Sequence, residues 1–384
     1  MYLDNAATSF PKPDCVCDAV ASWMRHGAAS AGRGSHRGSD QAAAVVDRCR
    51  ERVARLLGVP SPSQIAFTLN CTDSLNIVLR GFLRPGDRVV ASKLDHNSVL
   101  RPLQAIQTQA GISFDLVDFD PLSGLLDAEE FSSRLAETPV RLVVLNHASN
   151  VTGRVQQVAE LTRMAHEAGA FVLLDAAQTA GHWPTSMKEL DVDFLAAAGH
   201  KGLLGPLGTG ILCVRKGLDS QIEPLRYGGT GTSSESLSQP ESMPARFESG
   251  SSNLPGIAGL DAAADWILTQ SVLELHSKTQ HLTQKLLQGL AEISGVRLLT
   301  PRTEEISGIV SFEIHDHDCH DVAMILDQSF DIQCRAGLHC APLAHQSLGT
   351  FAHGGAVRFS PGVFNTDEDI EAAIRAIEAI AMQS

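Results

Sequence analysis

Two stretches decide the fold: Phe171-Val-Leu-Leu-Asp175, and downstream of it Phe194-Leu-Ala-Ala-Ala-Gly-His-Lys201. Each is a short apolar run without polar alternation that leads to a charged residue, as a strand buried on both faces reads. Working outward, runs of the same kind occur at Gln64–Leu69, Arg88–Ser92, Ser113–Val117, Arg141–Leu145 and Thr209–Val214. Helical patterns lie between most of them, at Ser74–Phe82, Val99–Gln109, Asp127–Leu135 and Ala159–Ala168. Seven strands alternating with helices predict an α/β fold with a mostly parallel sheet covered on both faces, its ligands bound beyond the carboxyl ends of the strands. The pattern changes after about residue 215. A Gly/Ser/Thr-rich loop, Tyr227–Ser236, precedes long helices at 255–270 and 272–293, strands near 306–314 and 355–359, and a closing helix from Asp367. This predicts a large domain over residues 16–255 and a smaller α+β domain built from 1–15 and 256–384.

Composition narrows the function classes. The chain has 384 residues, 43% of them hydrophobic, enough for a sizeable core. Thirty Lys and Arg against 44 Asp and Glu give a net charge of -14, with no basic run to follow a nucleic-acid backbone. No apolar stretch approaches the ~20 residues needed to span a bilayer, and Met1-Tyr-Leu-Asp-Asn5 lacks the features of a signal peptide. The expected location is the cytoplasm. There the eight scattered cysteines, without a C-x-x-C pair, should be free thiols, most of them acting as small core hydrophobes.

Asp175 and Lys201 fall at the carboxyl edge of the predicted sheet. A lysine and a carboxylate at such strand ends suit pyridoxal phosphate: the amine bonds the cofactor aldehyde, and the carboxylate keeps the pyridine nitrogen protonated. An ordinary ion pair at a strand edge is the competing reading. Asn70-Cys71-Thr72-Asp73-Ser74 follows a strand and opens a helix, where backbone N–H groups receive a phosphate; a simple N-cap by Thr72 or Asp73 reads equally well.

Six segments, taken in order, resemble the pyridoxal-phosphate enzymes of the class V aminotransferases: Leu3-Asp-Asn-Ala-Ala-Thr8, Asp95-His-Asn-Ser98, His147-Ala-Ser-Asn-Val-Thr-Gly153, Asp175-Ala-Ala-Gln178, Gly199-His-Lys-Gly202 and Arg246-Phe-Glu-Ser-Gly-Ser-Ser-Asn253. Arg335-Ala-Gly-Leu-His-Cys-Ala-Pro-Leu-Ala-His345 is similar to the loop of the cysteine desulfurase and selenocysteine lyase branch. The resemblance covers essentially the whole chain. It implies the fold-type I architecture, Lys201 as the lysine that binds the cofactor, and Asp175 as partner of the pyridine nitrogen. It also implies Gln178 and Asn150 near the ring hydroxyl, His96 over the ring face and shuttling protons, and Cys71, Thr72 and His200 at the phosphate. Ser251 would reach the phosphate of a neighbouring subunit in a homodimer with shared sites. Two departures, Ala198 where the family often has Ser and Cys71 for a common Thr, remove hydroxyls from the phosphate site and imply weaker cofactor retention.

Cys340 lies outside any periodic apolar pattern, and Arg335 and His339 place basic groups beside it, as a sulfur-transfer nucleophile requires. Arg358, in Ala356-Val-Arg-Phe359, matches the family arginine that clamps the substrate carboxylate, with Arg335 as a secondary contact; a planar guanidinium binds both oxygens at once. His315, His317, Cys319 and His320 crowd together, but polar linker and N-cap chemistry before the helix at Val322 is the ordinary explanation, so no metal is expected. The resulting expectation is an enzyme that takes L-cysteine to alanine and passes persulfide sulfur from Cys340 to a protein or small-thiol acceptor. Selenocysteine lysis or desulfination of cysteine sulfinate on the same scaffold is the nearest alternative. A scaffold protein that kept the fold without its chemistry is the alternative of another class.

Overall fold

All seven apolar runs become strands in the computed structural model, which describes every residue except 28, 32, 33, 35, 233, 234, 383 and 384. They are β1 (Ile65–Thr68), β2 (Arg88–Ser92), β3 (Ser113–Val117), β4 (Leu142–Asn146), β5 (Phe171–Asp175), β6 (Phe194–Ala198) and β7 (Gly210–Val214). They form one sheet in the order β1-β7-β6-β5-β4-β2-β3. β3, β2, β4, β5 and β6 are parallel, and β7 runs antiparallel to both β6 and β1.

Every residue of β4, β6 and β7 is buried, so their sequences show no polar alternation. Successive side chains nevertheless point to opposite faces and enter different cores. Val143, Val172, Leu174 and Leu195 pack with Val46 and Val53 of helix Arg37–Leu56 and Leu260 of helix Leu254–Gln270. Val144, Leu173 and Phe194 pack on the other face with Leu75 and Phe82 of helix Cys71–Phe82 and Val99 of helix Asn97–Ala110.

A second, antiparallel sheet comprises β8 (Val296–Leu298), β9 (Val310–Ile314), β10 (Arg335–Gly337) and β11 (Ala356–Phe359), in the order β10-β11-β9-β8. Helices Val272–Ala291, Cys319–Phe330 and Asp367–Ala381 cover it, burying Leu286, Leu326 and Ile377 against Phe312 and Phe359. Leu3 enters this core, and the N-terminal segment bridges to the second sheet region at Tyr2–Gln333 and Asp4–Ser360. Helix Leu254–Gln270 instead shares the core of the large sheet through Ile257, Leu260, Ala263 and Ile267. Helices Asp14–His26 and Arg37–Leu56 and strands β8 and β10 lie outside the set expected from sequence. In the expected loop 227–236, the described residues form neither helix nor strand; Ser233 and Ser234 lie outside the described residues.

Candidate active site

Asp175 ends β5, and Lys201 stands just past the end of the adjacent β6, so parallel pairing alone brings them to one sheet edge. Around them the fold gathers Cys71, Thr72, His96, Asn150, Gln178 and His200, all lining one cleft of about 480 Å³. Eight residues singled out from five separate segments therefore share a single site.

The helix beginning at Cys71 is capped by Asn70, whose Oδ1 accepts from the N–H of Asp73 at 2.9 Å. Neither Thr72 nor Asp73 is the cap. Cys71 and Thr72 are thus first-turn residues, whose N–H groups have no acceptor within the helix and face an anion well. The Cys71 thiol does not extend that anion site, however: Sγ donates to Asp175 Oδ1 at 3.5 Å. Burial and the adjacent carboxylate push this thiol's pKa well up.

Asp175 Oδ1 also accepts from the N–H of Ala177 at 2.9 Å, which fixes the carboxylate. Burial lowers the Lys201 pKa against the opposing pull of Asp175. His96 is held at about 4, mainly by burial, and is neutral near pH 7. Its Nδ1 accepts from the N–H of Ser98 at 3.0 Å, which leaves the ring hydrogen on Nε2. His200 is likewise held at about 4, by burial and by Lys201 and Lys12.

Two buried polar atoms on this cleft, Asn150 Oδ1 and His200 Nδ1, have no partner among the described residues. Together with a helix N-terminus, an amine and a fixed carboxylate, they are the donor and acceptor set that pyridoxal phosphate needs. The residues fit the cofactor.

A second group abuts the cleft from the smaller sheet. β10 and β11 pair Arg335 directly with Arg358. Arg335 Nη2 lies 3.7 Å from Cys340 Sγ, and Cys340 is exposed. Arg358 is only 1% exposed; its Nη1 donates to the main-chain oxygen of Asn150 (3.1 Å) and its Nη2 to Asp4 Oδ1 (2.9 Å). His339 departs from expectation. It is 3% exposed, and burial and Arg358 hold its pKa well below the usual value, so it is a neutral ring that brings no positive charge to the thiol.

Ser251 does not join this cleft. It lines a separate cavity of about 840 Å³ with Gly208, Arg226 and Glu248. In the histidine-rich segment, Asp318 caps helix Cys319–Phe330 by accepting from the N–H groups of His320 and Asp321, and His315 pairs with Asp316 at 2.8 Å. No cluster of three or more ligand-type side chains suited to a metal ion occurs among the described residues. Sequence reasoning missed Asp4 and Lys12. Asp4 carried a signal, since it lies in the Leu3–Thr8 motif. Lys12 carried none; its Nζ donates to the main-chain oxygen of His200 at 2.9 Å, and burial lowers its pKa to about 8.

Comparison with known proteins agrees with this geometry. The profile of the family described as Aminotransferase class-V matches residues 1–373. A probable cysteine desulfurase of Methanothermobacter thermautotrophicus is 36% identical, over 99% of this chain and 94% of its own length. A cysteine desulfurase of Escherichia coli is 32% identical over 99% and 93%. Among solved structures, the apo cysteine desulfurase of Thermococcus onnurineus superposes with a TM-score of 0.93 at 33% identity, covering 100% of this chain and 95% of that one.

Proposed function

We infer the chemistry from one premise: this chain belongs to the class-V aminotransferase family. It is a pyridoxal-phosphate-dependent cysteine desulfurase that converts L-cysteine to alanine and retains the sulfur as a persulfide on Cys340. The observation that carries this reading is the exposed Cys340 thiol, with Arg335 3.7 Å away, set beside a buried Lys201–Asp175 cleft. Transamination alone gives such a thiol no role.

When bound, pyridoxal phosphate supplies a conjugated electron sink for charge developing at the substrate Cα. Asp175 would hold the ring nitrogen, Asn150 and Gln178 the ring hydroxyl, and His96 the ring face. The first turn at Cys71–Thr72 and His200 would hold the phosphate. Arg358 binds the substrate carboxylate through its guanidinium edge, oriented by Asp4, with Arg335 as a second contact. Lys201, whose burial favours the neutral amine, takes the Cα proton as general base. The Cys340 thiolate then attacks the substrate sulfur. An S–S bond forms, the Cβ–S bond breaks, its electron pair stays on the carbon fragment, and one proton at Cβ and one returned to Cα complete alanine. His96, a neutral ring with its hydrogen on Nε2, is placed to donate a hydrogen bond from that atom over the ring face.

The persulfide on an exposed residue is open to transfer to a thiol acceptor. The reading includes a homodimer in which Ser251 serves the neighbouring subunit. Its support is that Ser251 lies beside Gly208 and Arg226, outside its own chain's cleft. A cytoplasmic location is supported by eight free cysteines. Incubation with L-cysteine should yield alanine, with a persulfide trapped at Cys340 by mass spectrometry. Cys340→Ala should lower alanine production from L-cysteine by about 100-fold; alanine formation by that variant at the parental rate would sink the assignment of Cys340.

A further inference from the structure

We propose that Asn150 is a positioning residue that couples occupancy of the cofactor cleft to the geometry of the Cys340 turn. Three parts of the site meet at this one residue. Its main-chain oxygen accepts from Arg358 Nη1 at 3.1 Å, and its Nδ2 donates to the main-chain oxygen of His339 at 2.6 Å. Its Oδ1 is buried and without a partner among the described residues, on a residue that lines the cleft.

The turn carrying Asn150 is rigid. Ser149 Oγ accepts from the N–H groups of Val151 and Thr152, each at 3.1 Å, and Ser311 Oγ donates to the oxygen of Val151 at 2.6 Å. The turn carrying the thiol, by contrast, has to be held in place. His339 and Cys340 have φ of 48° and 58°, left-handed conformations that non-glycine residues keep only when their surroundings impose them. The His339 ring is a weak tether: it packs on His345 and meets the Arg335 backbone, and neither of its nitrogens has a well-formed hydrogen bond among the described residues. The carbonyls are tethered: that of His339 is held by Asn150, and that of Cys340 by the N–H of Asn97 at 2.8 Å, next to His96.

A carboxamide is planar, so a hydrogen bond that fixes Oδ1 from inside the cleft also fixes Nδ2 on the His339 carbonyl. Filling the cleft thereby stiffens a turn whose carbonyl bonds are already formed, and steadies the thiol when substrate chemistry can follow.

The role of Cys340 as nucleophile rests on the desulfurase reading, but the coupling can be tested without substrate. The full-length protein is alkylated with iodoacetamide, cofactor-free and loaded with pyridoxal phosphate, and each cysteine is followed by mass spectrometry. Loading should slow alkylation of Cys340 about fivefold, the effect of one tightened hydrogen bond, while exposed Cys15 and Cys17 serve as unchanged references. Asn150→Asp keeps Oδ1 but loses the donor to His339. With the variant compared at saturating pyridoxal phosphate, its loading checked by absorbance, Cys340 should respond to loading by less than about 1.5-fold. The same slowing in loaded Asn150→Asp would mean simple shielding by the cofactor and would overturn the proposal. Should that variant fold poorly, hydrogen exchange in the parental protein decides: unchanged exchange across residues 337–342 on loading overturns the coupling. Alanine formed from L-cysteine without any loading response rejects the coupling alone. A loading response without alanine rejects only the desulfurase reading.

Discussion

The cleft around Lys201 and the turn around Cys340 are built in opposite ways. Lys201 and Asp175 stand at the ends of neighbouring strands buried throughout, and their positions follow from strand pairing. Cys340 follows a three-residue strand, stands exposed, and keeps a left-handed backbone through carbonyls held by Asn150 and Asn97, which lie far away in sequence. One half of the site is fixed by local pattern, the other by contacts between segments distant in sequence. Lys201 and Asp175 thus stand on strand ends fixed by pairing, whereas the thiol proposed as the nucleophile stands on a turn held by a few distant contacts.

The largest expected effect removes the chemistry of the rigid half. Lys201→Ala should lower alanine release from L-cysteine by about 1000-fold or more, the usual scale of a lost general base. Cys340 in the same variant, tested without cofactor, should alkylate at close to the parental rate. A matching loss of thiol reactivity would show that the two halves are not separately built.

Next comes the junction between them. Arg358 is buried and held by both Asp4 and Asn150, so Arg358→Lys keeps the charge but loses the planar fork. KM for L-cysteine should rise about 30-fold with a smaller change in kcat, as expected for loss of a charge-assisted hydrogen bond to the substrate carboxylate. A fall in kcat at unchanged KM would move Arg358 from carboxylate binding to the chemical step.

The smallest effect concerns stability next to the cleft, at the residue before His96. Asp95 is fully buried beside Ser92, and burial pushes its pKa up to about 7 despite hydrogen bonds from the Ser92 N–H and Oγ. Its folded pKa lies above the unfolded value, so the folded state holds the proton longer. The contribution of Asp95 is full below the unfolded carboxylate pKa, is lost as pH rises toward 7, and then levels off. Asp95→Asn removes this dependence. Its Tm relative to the parent should therefore increase between pH 4 and pH 7 by about 5 °C and stay constant above. The opposite trend from buried His147 and His182, both held at about 4, is common to both proteins and cancels. A Tm difference that does not change with pH would show Asp95 to be charged in the folded protein.

Legibility in the sequence followed the same division. All seven large-sheet strands could be read because burial on both faces leaves an uninterrupted apolar run. β8 and β10, of three residues each, are too short to show any period. Helix Arg37–Leu56 carried a readable signal in the spacing of Ala42, Val46, Cys49 and Val53, although its other face is crowded with charge. Among the candidate site residues, the eight that line the cleft were legible from strand ends and motifs, and their protonation was not. Nothing in Arg335–His345 indicates that His339 is buried and neutral, because desolvation is a property of the packed neighbourhood.

By itself, the sequence determined the layered fold and the meeting of Lys201 with Asp175, because period and strand order are local properties that the chain carries along its length. Only the tertiary structure decided that Asn150 ties the cleft to the cysteine turn, that Asp4 is the counterion of Arg358, and that the Cys71 thiol turns to Asp175. Each of these is a hydrogen bond or ion pair between residues more than a hundred positions apart, formed when two surfaces close. No pattern along the chain records them.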